Sequence, residues 1–173
     1  MKPLITIKNI QDVLLQGYET TYVDDETSNR MWWASLEVVQ KEFLSHHSQE
    51  GGFWVASPLP ALTEKKCLNK MKGWLWSPEG FPYFQRDNAG FLPGDHSKKI
   101  KDNSSFISNY KVLNLNINDG YEPFLIVITS NFQCLLTIAG EKDKRTLLMR
   151  CDENSLKTAI ELIDAKLNQE NYE

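Results

Sequence analysis

Side chains that do chemistry on their own are scarce in this sequence. It has three cysteines and three histidines in 173 residues. Cys67, Cys134 and Cys151 are odd in number and include no Cys-x-x-Cys pair, which argues against a disulfide framework. Long apolar runs are also missing. The longest, Phe124 to Ile128, has five residues, against the roughly 20 that cross a bilayer. The opening Met1-Lys2-Pro3-Leu4-Ile5-Thr6-Ile7 lacks the apolar core of about 7–15 residues of a secretory signal. Together these features point to a cytoplasmic protein with no membrane segment. Positive charge is not in excess: 19 Lys+Arg stand against 23 Asp+Glu, for a net charge of −4 and a pI near 5.5. A global field that holds duplex DNA is thereby excluded.

The motifs of the common enzyme classes are absent. There is no G-x-G-x-x-G, no P-loop, no G-x-S-x-G and no H-E-x-x-H. His46 and His47 are adjacent, so on a helix they diverge by about 100° and do not share one metal-facing side. A zinc site from Cys67, His46, His47 and His96 has no supporting spacing. A nucleophile pair of Cys67 or Cys134 with His96 has nothing to bring it together. Asp24-Asp25-Glu26 reads as a solvated helix start rather than a cation site. The expectation is a non-enzymatic protein with no catalytic residue, no metal and no cofactor.

What is present is an ordinary globular composition, 41% hydrophobic and 24% charged, in a chain long enough for one domain with its own core. Leu4, Ile5 and Ile7 suggest a short first strand. Ile10, Val13 and Leu14 suggest a short helix closed by Gly17. From Asp24, a second helix carries Trp32, Leu36, Val39 and Phe43 as one stripe. Phe53 to Ala56 and Trp74-Leu75-Trp76 read as strands, the two indoles on one face. Leu113, Leu115 and Ile117 alternate with asparagines, as in a half-buried strand. The β-branched run Phe124 to Ile128 fits a central strand. Phe132 to Ile138 and Thr146 to Arg150 follow across a polar hairpin, and Asp152 caps a last helix bearing Leu156, Ala159, Ile160, Ile163 and Leu167.

The expected fold is therefore α+β: one domain over 1–173, an antiparallel sheet of about five strands, and helices packed on one face, in the manner of the GAF, PAS and profilin-like class. Within it, a Pro-, Gly- and aromatic-rich irregular segment is expected at about 73–105.

That segment carries an asymmetry. Residues 65–101 sum to +5 and the remainder to −9, and six of the 19 aromatics fall there. Cations pair with phosphates and rings stack on bases, so an anionic ligand or a single-stranded nucleic acid is one class of partner. Aromatic residues also anchor protein interfaces, and a protein partner is the favoured class. The candidate binding residues are Trp74, Trp76, Tyr83, Phe84, Arg86, Lys98, Lys99 and Lys101. The competing possibility is that these rings plug a core and the lysines form its solvated rim.

The run Pro123-Phe124-Leu125-Ile126-Val127-Ile128-Thr129-Ser130-Asn131-Phe132-Gln133-Cys134-Leu135-Leu136 resembles the closing hairpin of DICT-type sensory domains. The strand Thr146 to Arg150 and the helix from Asn154 to Leu167 follow where that family also has a strand and a final helix. The resemblance spans the C-terminal third. It implies a bacterial signalling setting, since DICT domains accompany diguanylate cyclases and two-component regulators. A regulatory or adaptor domain acting through a protein partner is thus the expected function, with nucleic-acid or nucleotide binding through 65–101 as the alternative.

Overall fold

The structure is a computed structural model and describes residues 6–46, 51–57, 62, 70–78, 110–115 and 122–170. Its elements are helix α1 (Ile7–Leu15), helix α2 (Asp25–Val38) continued by a π-helical segment (Val39–Leu44), strands β1 (Phe53–Ser57), β2 (Lys72–Pro78), β3 (Tyr110–Leu115), β4 (Phe124–Ile128), β5 (Gln133–Glu141) and β6 (Lys144–Arg150), and helix α3 (Glu153–Glu170).

Each helix starts where the local chemistry allows. Thr6 caps α1 through a reciprocal box, its hydroxyl accepting from the Asn9 N–H at 3.2 Å and its own N–H donating to Asn9 Oδ1 at 2.9 Å. Ile7 therefore opens a helix rather than closing a first strand; Leu4 and Ile5 lie outside the described residues. Asp24 caps α2 by accepting from the Thr27 N–H at 2.7 Å.

The sheet has six strands in the order β3-β2-β1-β4-β5-β6. From β1 through β4 and β5 to β6 every pairing is antiparallel. The β1–β2 and β2–β3 pairings are parallel. Six strands stand close to the about five expected, and the expectation of an antiparallel sheet is corrected at β1–β2 and β2–β3. Period-two alternation reports that a strand has two faces; it does not report the direction of its neighbour. β2 also takes Gly73 to Pro78 out of the segment expected to be irregular.

Helices cover both faces of the sheet, not one. On the first face, Trp54, Leu75, Leu125, Val127 and Leu136 pack under Trp32, Leu36, Val39 and Leu44 of α2 and its extension. On the second, Val55, Trp76, Ile126, Leu135 and Leu148 pack under Ile7, Ile10 and Leu14 of α1 and Leu156, Ala159 and Ile163 of α3. The reason is visible in β4, where four successive residues, Phe124 to Val127, are buried. Alternate members point to opposite faces, so each face needs its own cover. Full burial of one such aliphatic side chain is worth about 1.5–3 kcal/mol, which makes a bare second face untenable.

One detail corrects the α2 stripe. The Ser45 N–H donates to Gln40 O at 3.0 Å, five residues back, and this wider turn delays the stripe by one residue. Leu44 takes the core position expected of Phe43. Phe43 is half-buried instead and stacks on Phe132 with 4.6 Å between ring centroids. Val13, expected in the α1 stripe, is exposed. Gln11 is buried in that helix, its Nε2 donating to Thr137 Oγ1 at 2.7 Å and Ile138 O at 2.9 Å, and so ties α1 to β5.

Candidate functional site

The site is built along β6, the outer strand beside β5. Arg145 gives both its N–H and its carbonyl to Val23, each at 2.8 Å. Arg145, Leu147 and Met149 therefore turn their backbone groups away from β5, because along a strand these directions alternate. Five residues before Val23 is Tyr18; five residues after Arg145 is Arg150, whose guanidinium lies 4.4 Å from the Tyr18 ring centre. Both contacts fit one antiparallel register. The connection from α1 to α2 thus runs as a strap beside β6, turned out of α1 by Gly17 at a φ of 77°.

The strap is fastened at each end by charge. At the α2 end, Arg145 Nε donates to Asp25 Oδ1 at 2.8 Å, and its NH1 group donates to Glu122 Oε1 at 2.5 Å and Gly140 O at 2.7 Å. The Asp143 N–H also donates to Asp25 Oδ1, at 3.2 Å. The Arg145 hydrogen bond, followed by that of Asp143, holds the Asp25 carboxyl below its usual range. At the α1 end, Arg150 Nε donates to Asp152 Oδ2 at 2.8 Å while Asp152 Oδ1 accepts from the Ser155 N–H at 2.9 Å. Arg150 first, and then the Ser155 N–H, holds the Asp152 carboxyl well below the ordinary carboxylate range. A shallow cleft of about 260 Å³ opens here, lined by Val13, Gln16, Arg150, Asp152 and Thr158 among others. Arg150 and Asp152 satisfy each other in its wall, so their pair serves the architecture first.

Between these ends two thiols meet. Cys134 is 1% exposed and Cys151 is exposed; both are free. Burial first, and then the neighbouring Cys151 thiol, pushes the Cys134 thiol up to about 12. Gln133 Nε2 donates to Cys151 O at 3.0 Å.

The remaining feature is apolar surface. Tyr22 on the strap is 60% exposed and Trp33 on α2 is 61% exposed, with Met31, Val38, Tyr18 and Met149 also open to solvent. Trp32, Leu36 and Val39 mark the buried side of α2. At 100° per residue Trp33 lies on one flank of that side, and Met31 with Val38 on the other.

Of the binding residues expected from the sequence, two lie among the described residues. Trp74 and Trp76 share a face, as expected. Trp76 is fully buried against the second-face core, with Lys166 Nζ 5.7 Å from its ring centre. Trp74 is half-buried and meets Phe53 edge-on at 6.1 Å. Tyr83, Phe84, Arg86, Lys98, Lys99 and Lys101 lie outside the described residues, as do His47, Cys67 and His96. His46 is exposed. Among the described residues, no group of three His, Cys, Asp or Glu side chains is placed to hold a metal, and no helix is long and apolar enough to cross a membrane.

Sequence reasoning missed Trp33, Tyr22 and the two arginine clamps. Trp33 carried a signal: once Trp32, Leu36 and Val39 define the buried stripe, the residue after Trp32 must fall on its flank, about 100° round the helix. The Arg145 clamp carried none, because Arg145 and Asp25 are 120 positions apart in sequence.

No curated protein and no solved structure matched the chain. The model of a family described as a domain of unknown function (DUF8628) matches residues 8–173, and the chain belongs to that family.

Proposed function

We propose that the protein is a regulatory or adaptor module that acts in the cytoplasm by binding a protein partner. The observation that carries this reading is the pair of aromatics held open to solvent, Trp33 and Tyr22, on α2 and on the strap that leads into it. Large rings presented on an ordered element are the residues that dominate protein interfaces. Met31, Val38 and Met149 add apolar area around the same elements. The reading keeps the sensory GAF- and PAS-like comparison for the antiparallel half, β4 to β6 followed by α3, and with it a small ligand as a second input. Nucleic-acid binding through 65–101 is less supported, because Trp76 is buried and so is not free to stack on a base.

The test compares tagged wild-type protein with Trp33→Ser and Tyr22→Ser variants in quantitative capture from the native host. Both side chains are exposed, so stability should change by no more than about 0.5 kcal/mol. A stoichiometric polypeptide whose binding weakens about 30-fold or more in Trp33→Ser supports the reading, since hot spots cost about 2 kcal/mol or more. Retention that is equal in all three proteins, but lost on charge reversal of Lys98, Lys99 and Lys101 and steep in salt, would replace it with the nucleic-acid reading.

A further inference from the structure

We propose that Cys134 and Cys151 are a redox pair, closing to an intramolecular disulfide on exposure to a peroxide and reopening with a dithiol. The register supplies the geometry. β5 and β6 pair Leu136 with Met149 and Leu135 with Arg150. The ladder ends at Leu135 and Arg150; carried one step further, the same register would set Cys134 opposite Cys151. The direction of the backbone groups follows from Arg145, whose N–H and C=O both go to Val23. Odd-numbered residues of β6 are therefore the non-hydrogen-bonded positions toward β5, and Cys151 continues that series. At such positions facing Cα atoms lie about 4.5 Å apart and their side chains share a face, inside the ~4.4–6.8 Å range that a disulfide spans. The two thiols are free, and Cys151 is near enough to bear on the Cys134 thiol.

Burial divides the roles. Cys151 is exposed and meets the oxidant; Cys134 is 1% exposed and is screened from it. The Cys151 thiolate attacks one peroxide oxygen, the O–O bond breaks, and Cys151 sulfenic acid forms with release of water after protonation. Cys134 then gives up its proton and attacks Cys151 Sγ. The S–S bond forms, the S–O bond breaks, and a second water leaves. Two thiols lose two electrons and two protons, and hydrogen peroxide is reduced to two waters. Burial keeps the Cys134 thiol protonated, so Cys151 is the thiol that reacts with the oxidant first. Closure welds β5 to the joint between β6 and α3, since Asp152, the next residue, caps α3.

The test uses the full-length protein, reduced and then treated with one equivalent of hydrogen peroxide. Free thiols are alkylated, and intact mass is followed by peptide mapping. The expected result is a mass about 2 Da lower before alkylation, near-complete loss of free Cys134 and Cys151, and a linked peptide pair containing both, all reversed by dithiothreitol. A Cys67→Ser variant should behave in the same way. In Cys151→Ser the link should vanish and Cys134 stay reduced. In Cys134→Ala, dimedone should trap a sulfenic acid at Cys151. A disulfide through Cys67, a covalent dimer, or Cys151 sulfinic acid formed in wild type without any link to Cys134 would overturn the proposal. The wild-type peptide map decides alone if the Cys134 variant does not fold.

Discussion

Replacing Gly73 by alanine places a methyl group where the Trp54 indole already lies. The two residues face each other in the parallel β1–β2 ladder. A Cβ on Gly73 would stand 2.7 Å from Trp54 Nε1 and closer still to Cε2 and Cζ2. Carbon atoms rest comfortably at about 3.5–4.0 Å, so ring or strand must move by about 1 Å. Trp54 is 1% exposed and packed among Leu75, Leu125 and Val127, and a close-packed interior has no such space to give. Overpacking of this kind costs about 1–3 kcal/mol. Alanine returns about 0.4–1 kcal/mol by narrowing the unfolded ensemble. The net loss is about 1–2 kcal/mol, or a Tm lower by about 2–8 °C for a chain of this size. Urea titration should show a lower midpoint with an unchanged slope, and near-UV circular dichroism should report a reoriented indole. In a Trp54→Leu background the added methyl finds room, so the two substitutions should cost at least about 1 kcal/mol less together than the sum of each alone. Equal or greater stability of Gly73→Ala, or strict additivity, would refute the packing of Trp54 over Gly73.

Two further outcomes follow from the clamps on the strap. Arg145→Met removes the partner of both Asp25 and Glu122 and should cost about 1–3 kcal/mol; hydrogen exchange at Val23 should speed up with it, and an unchanged exchange rate there would deny the strap its fastening. Asp152→Ala removes the α3 cap and should cost about 1 kcal/mol at neutral pH. Because the folded Asp152 pKa is depressed, its stabilisation is fully present above the ordinary carboxylate range and is lost as pH falls through the folded value. Wild type and Asp152→Ala should therefore converge in stability below about pH 4, measured as Tm against pH; a gap that stays constant down to pH 2 would count against the ion pair.

Local features were the most legible part of this chain. The Phe124 to Ile128 run reads as a central strand because five consecutive apolar residues leave no polar face, and β4 lies inside the sheet. Asp152 reads as a cap because its side chain acts on a backbone N–H three residues away. Relations over distance were not legible. The parallel β1–β2–β3 pairings leave no mark on alternation, and the one-residue delay at the π-helical turn is a matter of one hydrogen bond that Gln40 and Ser45 do not advertise by type. The same division holds in the site. Trp33 is readable from helical phase, whereas the nearness of Cys134 to Cys151 follows only once β5 and β6 are in register.

The strap along β6 also has a consequence for synthesis. Val23 meets Arg145, and Gln11 meets Thr137, across intervals of more than 100 residues. The apolar stripes of α1 and α2 leave the ribosome early, yet part of their cover comes from β5, β6 and α3. At about 5–20 residues per second, those stripes wait roughly 6–25 s for the chain that buries them. Over that interval the nascent chain exposes the same side chains that the finished molecule hides. This part of the fold closes only after the last helix is made, and holding the early helices apart from other chains falls to whatever meets the nascent polypeptide.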